Sequence, residues 1–257
     1  RYANDSSGIA REIALRRQRT HREQRLEGGG ERGRILLATH DGDEPRVKSR
    51  LLLVVEADVV LDGVSEPAQQ VRIGRRVLMA WVKAFAPLCE KLIVPAVPGN
   101  HDETHRIVMT DPIDSWQLEV VSAVQDACAE NPAFAHVEFR YPEPDHGTLA
   151  LDLGGTIVGL AHGHQANDMA KWLPGQATGK TPVGHSDVLI TGHYHHFRAQ
   201  QVGPRLWIQV PAMDGGSAWF RDRKGLESPT GIVALVMGAG YDPRKDLAVL
   251  GGENRLP

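Results

Sequence analysis

The chain has 257 residues, of which 41% are hydrophobic and 24% charged, a balance that predicts a globular protein with a substantial core. Its net charge of −3 excludes attraction of nucleic acid to the surface as a whole, although a local basic patch stays open. Two cysteines exclude a disulfide framework and a four-thiolate zinc site, and no apolar run approaches the ~18 residues of a membrane span.

The first 33 residues form an Arg-rich segment with few large apolar side chains. Residues 10–27 predict a polar helix, which cannot fold alone because it buries too little surface. We therefore expect an N-terminal arm over residues 1–33 and one domain over residues 34–257. The arm is solvated or packed on a neighbour, or else it contacts nucleic acid or a second copy of the chain.

From residue 34 onward, short apolar runs alternate with helical stretches, which is the pattern of an α/β domain. Helices are predicted at 46–56, 71–89 and 114–130, and Trp81 and Trp116 lie at core spacings of the last two. The predicted strands cover residues 34–38, 58–61, 91–97, 136–141, 149–153, 156–161, 187–191, 206–210 and 231–236. Gly154-Gly155 is predicted to join two of these strands in a two-residue β-hairpin.

Twelve histidines, seven of them between residues 141 and 197, are the most unusual feature of the sequence. Three segments place ligand-type side chains directly after a predicted strand: Gly99-Asn100-His101-Asp102, His162-Gly163-His164 and Gly192-His193-Tyr194-His195. Open α/β sheets bind ligands beyond the carboxyl ends of their strands, so we expect these loops to converge on one crevice. Imidazole, amide and carboxylate groups without a thiolate suit Mn, Fe or Zn.

In this order, the three segments resemble the signature of the calcineurin-like metallophosphoesterases, in which Asp-x-His and Gly-Asp precede Gly-Asn-His-Asp/Glu, a His-Gly loop and Gly-His-x-His. The resemblance covers roughly residues 36–236. It implies a four-layer α/β sandwich of two mixed β-sheets flanked by helices, with the site on loops at one edge. Residues 217–220 and 225–229 also resemble phosphoesterases of bacteriophages and actinobacteria, which together with the low cysteine content predicts the cytoplasm of a bacterium or of a phage-infected cell.

The resemblance also implies a role for each matching residue. Four correspond to metal ligands of the family: Asn100, His162 and His193 for the second metal, and His195 for the first. His101 corresponds to the catalytic histidine, which Asp102 orients. The implied cofactors are two divalent transition metal ions, with Mn favoured and Fe or Zn as alternatives. In that chemistry a hydroxide that bridges the ions attacks phosphorus in line.

The carboxylate that bridges the two metals is normally the aspartate of Gly-Asp, and this motif departs from the family pattern. Asp62, which stands in Leu-Asp-Gly after the predicted strand 58–61, is our first candidate for the bridge. Asp43 belongs to a literal Gly-Asp and is the alternative.

The first family motif also departs, because the expected residue types follow strand 34–38 in a different order. His40, Asp41 and Asp43 are therefore candidate ligands of the first metal. Our hypothesis is that residues are missing from the chain near 40–43 and 60–63. The alternative is an enzyme that has lost its first metal site.

His164 and Arg221 are candidate substrate contacts outside the ligand set. Residues 175–181 resemble a phosphate-binding P-loop but have three residues between the glycines where the motif requires four, so we interpret them as a Gly-rich surface loop. We expect hydrolysis of a phosphodiester, with nucleic acid as the favoured substrate because of the nuclease-type resemblance and the Arg-rich arm. The alternatives are a phosphomonoesterase or small cyclic-nucleotide phosphodiesterase, and a non-catalytic interaction protein with a degraded metal site.

Overall fold

A computed structural model describes residues 50–54, 67–100, 111, 114–213, 222 and 229–251. The helices are α1 (Pro67–Phe85), α2 (Trp116–Ala129) and α3 (Met169–Thr178). The strands are β1 (Arg50–Val54), β2 (Leu92–Pro95), β3 (Val137–Arg140), β4 (Thr148–Asp152), β5 (Ile157–Ala161), β6 (Val188–Thr191), β7 (Arg198–Val202), β8 (Arg205–Gln209), β9 (Ile232–Met237) and β10 (Ala248–Leu250). The predicted mixed α/β class is confirmed.

The described strands pair in three groups. The largest is a five-stranded sheet of order β4-β5-β6-β8-β7, whose central strands β5, β6 and β8 run parallel while β4 and β7 pair antiparallel at its edges. Strands β2 and β3 pair in parallel, and β9 pairs antiparallel with both β1 and β10. The parallel centre of the large sheet places the carboxyl ends of β5 and β6 side by side.

Alternate residues of the five-stranded sheet face two different layers, as the period of two along a strand requires. One face packs into the main core together with β9: Leu160, Ile190, Ile208, Val233 and Leu235. The other face packs against α3: Ala161, Leu189, Trp207, Met169 and Leu173. This layering agrees with the predicted sandwich of sheets flanked by helices.

Helix α2 connects β2 to β3 and packs on both strands. It begins at Ser115, whose Oγ accepts a hydrogen bond from the Leu118 N–H at 3.3 Å and so caps the helix. Leu118 and Val121 then pack against Ala96, just beyond β2. The predicted helix at 114–130 is therefore confirmed. The one predicted at 71–89 is confirmed as α1, followed by a 3-10 turn over Ala86–Leu88, because Pro87 disfavours the α conformation in the residue before it.

The predicted hairpin at Gly154-Gly155 is confirmed. Both glycines have positive φ, +67° and +86°, which a tight two-residue turn between twisted strands favours. The Leu153 N–H donates to the Thr156 carbonyl at 2.9 Å and closes the turn, and the Gly155 N–H donates to Asp152 Oδ1 at 2.7 Å.

Three expectations were wrong, and two strands were not predicted. The predicted helix at 46–56 contains strand β1, because a short Leu-Leu-Leu-Val run suits either structure and pairing with β9 decides it. The surface loop predicted at 175–181 is in its first part the end of α3. Strands β7 and β10 were not predicted, since β7 (Arg-Ala-Gln-Gln-Val) is a polar edge strand and β10 is short. Trp116 is 39% exposed rather than buried in the core.

Three predicted elements, at 10–27, 34–38 and 58–61, lie outside the described residues. The division into an arm at 1–33 and a domain at 34–257 stays a prediction. Within the described ranges, no helix is both long enough and apolar enough to cross a membrane.

Candidate metal centre

The loops after β5 and β6 carry two of the three histidine and asparagine motifs. The two strands are parallel neighbours, with Ala161 opposite Thr191 in the register. His162 therefore leaves β5 beside the loop of His193, and the Gly192 N–H donates to the His162 carbonyl at 2.8 Å. This backbone contact holds the two motifs together at one edge of the sheet.

Gly163 is required for this close approach. Its φ is +115°, a conformation that side chains rarely adopt. A Cβ atom at this position would also lie 2.9 Å from the Gly192 carbonyl oxygen and 3.2 Å from the His193 Cβ. The glycine between the two histidines of His-Gly-His thus permits the neighbouring loop to pack against it.

The loop after β6 contains two strained histidines. His193 and His195 have φ values of +69° and +56°, and such left-handed non-glycine residues cost of order 1–3 kcal/mol each. Residues in this conformation cluster at functional sites because the surrounding structure must hold them in place. Here the Tyr194 N–H donates to the Gly192 carbonyl at 2.9 Å, and the Gln209 Nε2 amide donates to the His196 carbonyl at 2.9 Å.

The imidazoles of three histidines come together at this edge. His162 is 7% exposed, and its Nε2 lies 3.2 Å from Nδ1 of His193, with 5.1 Å between the ring centroids. The ring of His164 is exposed, and its centroid lies 5.4 Å from that of His162 and 6.2 Å from that of His193. His195 is half-buried in the same loop as His193.

The separation of the His162 and His193 nitrogens fits shared coordination of one ion. Two imidazole nitrogens at about 2.0–2.1 Å from a metal, at angles between octahedral and tetrahedral, are about 2.8–3.4 Å apart. The observed 3.2 Å falls inside that interval, and it is also the distance of a hydrogen bond between the two rings when one of these nitrogens carries a proton. Imidazole pairs of this kind suit Mn, Fe or Zn.

The side-chain oxygen of Asn100 also has the character of a metal ligand. It follows β2, and its Oδ1 is buried yet makes no hydrogen bond with any described residue. Buried carbonyl oxygens are nearly always partnered, so an oxygen of this kind suits a ligand to a cation. No hydrogen bond among the described residues joins Asn100 to the histidine pair.

The described part of the chain offers only part of a complete centre. Within it, no three His, Cys, Asp or Glu side chains form a group that could hold a metal ion. The remaining candidate residues lie outside the described residues: His40, Asp41, Asp43, Asp62, His101, Asp102 and Arg221. Their assignments as ligands, catalytic groups or substrate contacts stay predictions.

Two glutamines that sequence reasoning missed support the histidine loops. Gln165 Oε1 accepts a hydrogen bond from the Gly163 N–H at 2.8 Å, and Gln209 holds the His196 carbonyl. Gln209 is 2% exposed and follows Leu-Trp-Ile in β8. A polar residue at the end of an apolar strand was therefore a sequence signal that could have identified it. Gln165 stands in a polar loop, where nothing in the sequence distinguished it.

No protein-family model and no curated protein matches the sequence. The fold is similar to three solved structures at low identity. Vps29 from Cryptosporidium parvum is 15% identical, and the match covers 74% of this chain and 86% of that one with a TM-score of 0.39. An archaeal phosphodiesterase is 16% identical, with 66% of this chain and 75% of that one covered and a TM-score of 0.35. A conserved predicted phosphoesterase from Streptococcus pneumoniae is 14% identical, with 49% of this chain and 71% of that one covered and a TM-score of 0.30.

Proposed function

We propose that this protein is a divalent-metal-dependent phosphoesterase that cleaves phosphodiesters in nucleic acid. One observation carries the proposal: the His162 and His193 nitrogens meet 3.2 Å apart at the carboxyl ends of two parallel strands, in loops that hold strained histidines. The type and spacing of these ligands favour transition metal ions, with Mn first and Fe or Zn as alternatives. When bound, two such ions supply an activated water and neutralise the charge that develops on the phosphate.

The side chains of the candidate site have three proposed roles: metal ligand, substrate contact and proton donor. Asn100, His162, His193 and His195 are the proposed ligands, and carboxylates from outside the described ranges, with Asp62 as first candidate, complete the set. His164 is exposed beside the histidine pair, where its imidazole can donate a hydrogen bond to a phosphate oxygen of the substrate. His101, oriented by Asp102, is the proposed donor of a proton to the leaving oxygen.

The test combines metal stoichiometry with activity on three esters. We expect two Mn ions per chain by calorimetry, and hydrolysis of bis(p-nitrophenyl) phosphate and single-stranded DNA in preference to p-nitrophenyl phosphate. Preference for the mono-ester would favour the phosphomonoesterase alternative. One ion or none at saturating Mn, with no turnover of any ester, would overturn the proposal in favour of a non-catalytic protein.

A matched pair of histidine variants links the activity to the site. His193→Ala should lower kcat/KM for the bis-ester by more than about 100-fold, because loss of a ligand exceeds the ~10–100-fold typical of residues that merely orient one. His185→Ala is the control, since His185 is exposed and precedes β6, at the opposite end of the strand from His193. Equal activity of the two variants would contradict the assignment.

A further inference from the structure

An open groove of ≈ 590 Å³ lies between the N-terminal end of α2 and the segment that follows β3. Its wall includes Trp116, which at 39% is among the most exposed large apolar side chains of the described residues. Tyr141, Pro142 and Pro144 line the groove from the β3 side. The Tyr141 hydroxyl donates to Gln125 Oε1 at 2.8 Å, which fixes the position of its ring.

The groove lies at the same edge of the β2–β3 pair as Asn100. Strands β2 and β3 are parallel, so the residues after β2 and the residues after β3 leave at the same edge. The Ala96 N–H donates to the Arg140 carbonyl at 3.0 Å, and Tyr141 comes directly after Arg140. Asn100 is four residues beyond Ala96, at most about 14 Å of extended chain, so a short oligonucleotide can reach both.

The charge of the groove decides which part of a substrate it accepts. The described lining residues include two carboxylates, Asp114 and Glu119, and no basic side chain. Glu119 pairs at 3.2 Å with Arg75, which lies outside the lining. Phosphate groups are therefore disfavoured inside the groove, whereas an uncharged planar group is accepted between aromatic and proline surfaces.

We propose that the groove formed by Trp116, Tyr141 and Pro144 binds a nucleobase of the substrate by stacking, and that this side of the site selects nucleic acid over simple phosphate esters. The inference rests on the proposed phosphodiesterase function and specifies its substrate. Stacking of bases on aromatic side chains tolerates any sequence, because every base has a π face. The groove thus selects for the presence of a base rather than for its identity.

The experiment measures base-dependent binding by the full chain without turnover. Two fluorescein-labelled decamers of equal length and charge, oligo(dT) and an abasic deoxyribose-phosphate strand, are titrated in EDTA at low salt and followed by anisotropy. We expect the wild-type protein to bind oligo(dT) more tightly than the abasic strand. Trp116→Ala should weaken oligo(dT) binding by about 5- to 150-fold, the range found when a stacking side chain is removed, and should leave abasic binding unchanged.

Two further variants separate stacking from general effects. Trp116→Phe keeps an aromatic face and should retain most of the preference for oligo(dT). Leu88→Ala is the matched control, because Leu88 is similarly exposed (43%) but precedes β2, at the opposite end of that strand. Trp116 is at the surface, so its truncation should leave the melting temperature within about 2–4 °C of the wild-type value.

The inference is overturned if wild-type protein binds both decamers equally, if Trp116→Ala keeps the preference, or if Leu88→Ala loses it as well. Its failure differs from failure of the proposed function. A protein that hydrolyses the bis-ester but ignores bases would retain the function and lose this inference. A protein that prefers bases through Trp116 but hydrolyses no ester would lose the function and the substrate assignment, and would retain only the base-binding groove.

Discussion

The two ends of the five-stranded sheet are built from the same strands and use their polar groups in opposite ways. At the amino ends of β5, β6 and β8, Asp187 is part of the hydrogen-bonded framework. Its Oδ2 accepts the Ile157 N–H at 2.8 Å, and its carbonyl accepts the Leu206 N–H at 2.9 Å. At the carboxyl ends, His193 and His195 are held in left-handed conformations and imidazole nitrogens face each other.

The difference separates a hydrogen-bonded framework that stabilises the sheet from a loop that holds two left-handed histidines. Groups at the amino ends, such as the Asp187 carboxylate, connect strands and stabilise the sheet. Changes there should therefore lower the free energy of unfolding and leave catalytic activity unchanged. At the carboxyl ends, His193 and His195 hold left-handed conformations of a kind that clusters at functional sites. Substitutions at the two ends should therefore separate stability from activity.

Among the substitutions that compare the two ends of the sheet, the largest effect is expected at Gly163. Gly163→Ala places a Cβ 2.9 Å from the Gly192 carbonyl and forces the two histidine loops apart, so Mn affinity and kcat/KM for the bis-ester should fall about 100-fold. Gly203→Ala is the matched control at the other end of the sheet, in the β7–β8 turn. Its φ is also positive (+60°), but a Cβ there meets nothing within 4 Å, so it should cost about 1 kcal/mol of stability and no activity. A Gly163→Ala enzyme with normal Mn affinity would contradict the role of loop packing.

At the amino end, Gly184→Ala should lower stability instead. A Cβ at Gly184 would lie 2.4 Å from the backbone of Gln176 in α3, so the helix must shift, at a cost of about 2–3 kcal/mol in the free energy of unfolding. Gly175→Ala is the comparison, because open space surrounds that site and alanine favours the helix by about 0.5–1 kcal/mol. Urea unfolding measures both. A loss of kcat in folded Gly184→Ala protein would show that the two ends are not separable.

Gln209→Leu tests the support of the strained loop. It removes the donor to the His196 carbonyl, which should cost about 1–3 kcal/mol in the free energy of unfolding and lower Mn affinity about tenfold. Calorimetric titration with Mn measures the second effect. Gln201→Leu is the control, since Gln201 donates to Gly203 in the turn at the opposite end. Unchanged Mn affinity in Gln209→Leu would show that this hydrogen bond does not contribute to metal binding.

The smallest effect concerns Cys89, which precedes β2 at its amino end. Burial disfavours the thiolate and raises the pKa of Cys89 to about 11, and its Sγ donates to the Phe85 carbonyl at 3.3 Å. At pH 8 iodoacetamide should therefore label Cys89 at least about tenfold more slowly than a thiol of the urea-unfolded chain. The rate should rise as the pH approaches 11. Rapid labelling of folded protein at pH 8, assigned by mass spectrometry, would contradict this.

Local sequence determined the elements whose residues dictate their own geometry. Gly154-Gly155 predicted a hairpin because glycine adopts two successive positive φ values without strain, and the aliphatic runs before His162 and His193 predicted two buried strands. The order of the motifs after those strands was sufficient to predict which side chains lie at the carboxyl edge of the sheet. A short apolar run that suits either a helix or a strand cannot be assigned from local sequence, as β1 shows.

Only the tertiary structure decided the features that depend on neighbours distant in the chain. The 3.2 Å between the His162 and His193 nitrogens follows from the pairing of β5 with β6, which no local pattern specifies. The exposure of Trp116 depends on how α2 packs against β2 and β3, since helical spacing alone predicted burial. A sequence determines which groups follow a strand, because that is a matter of chain order. Distance and burial are set by the packing of separate elements.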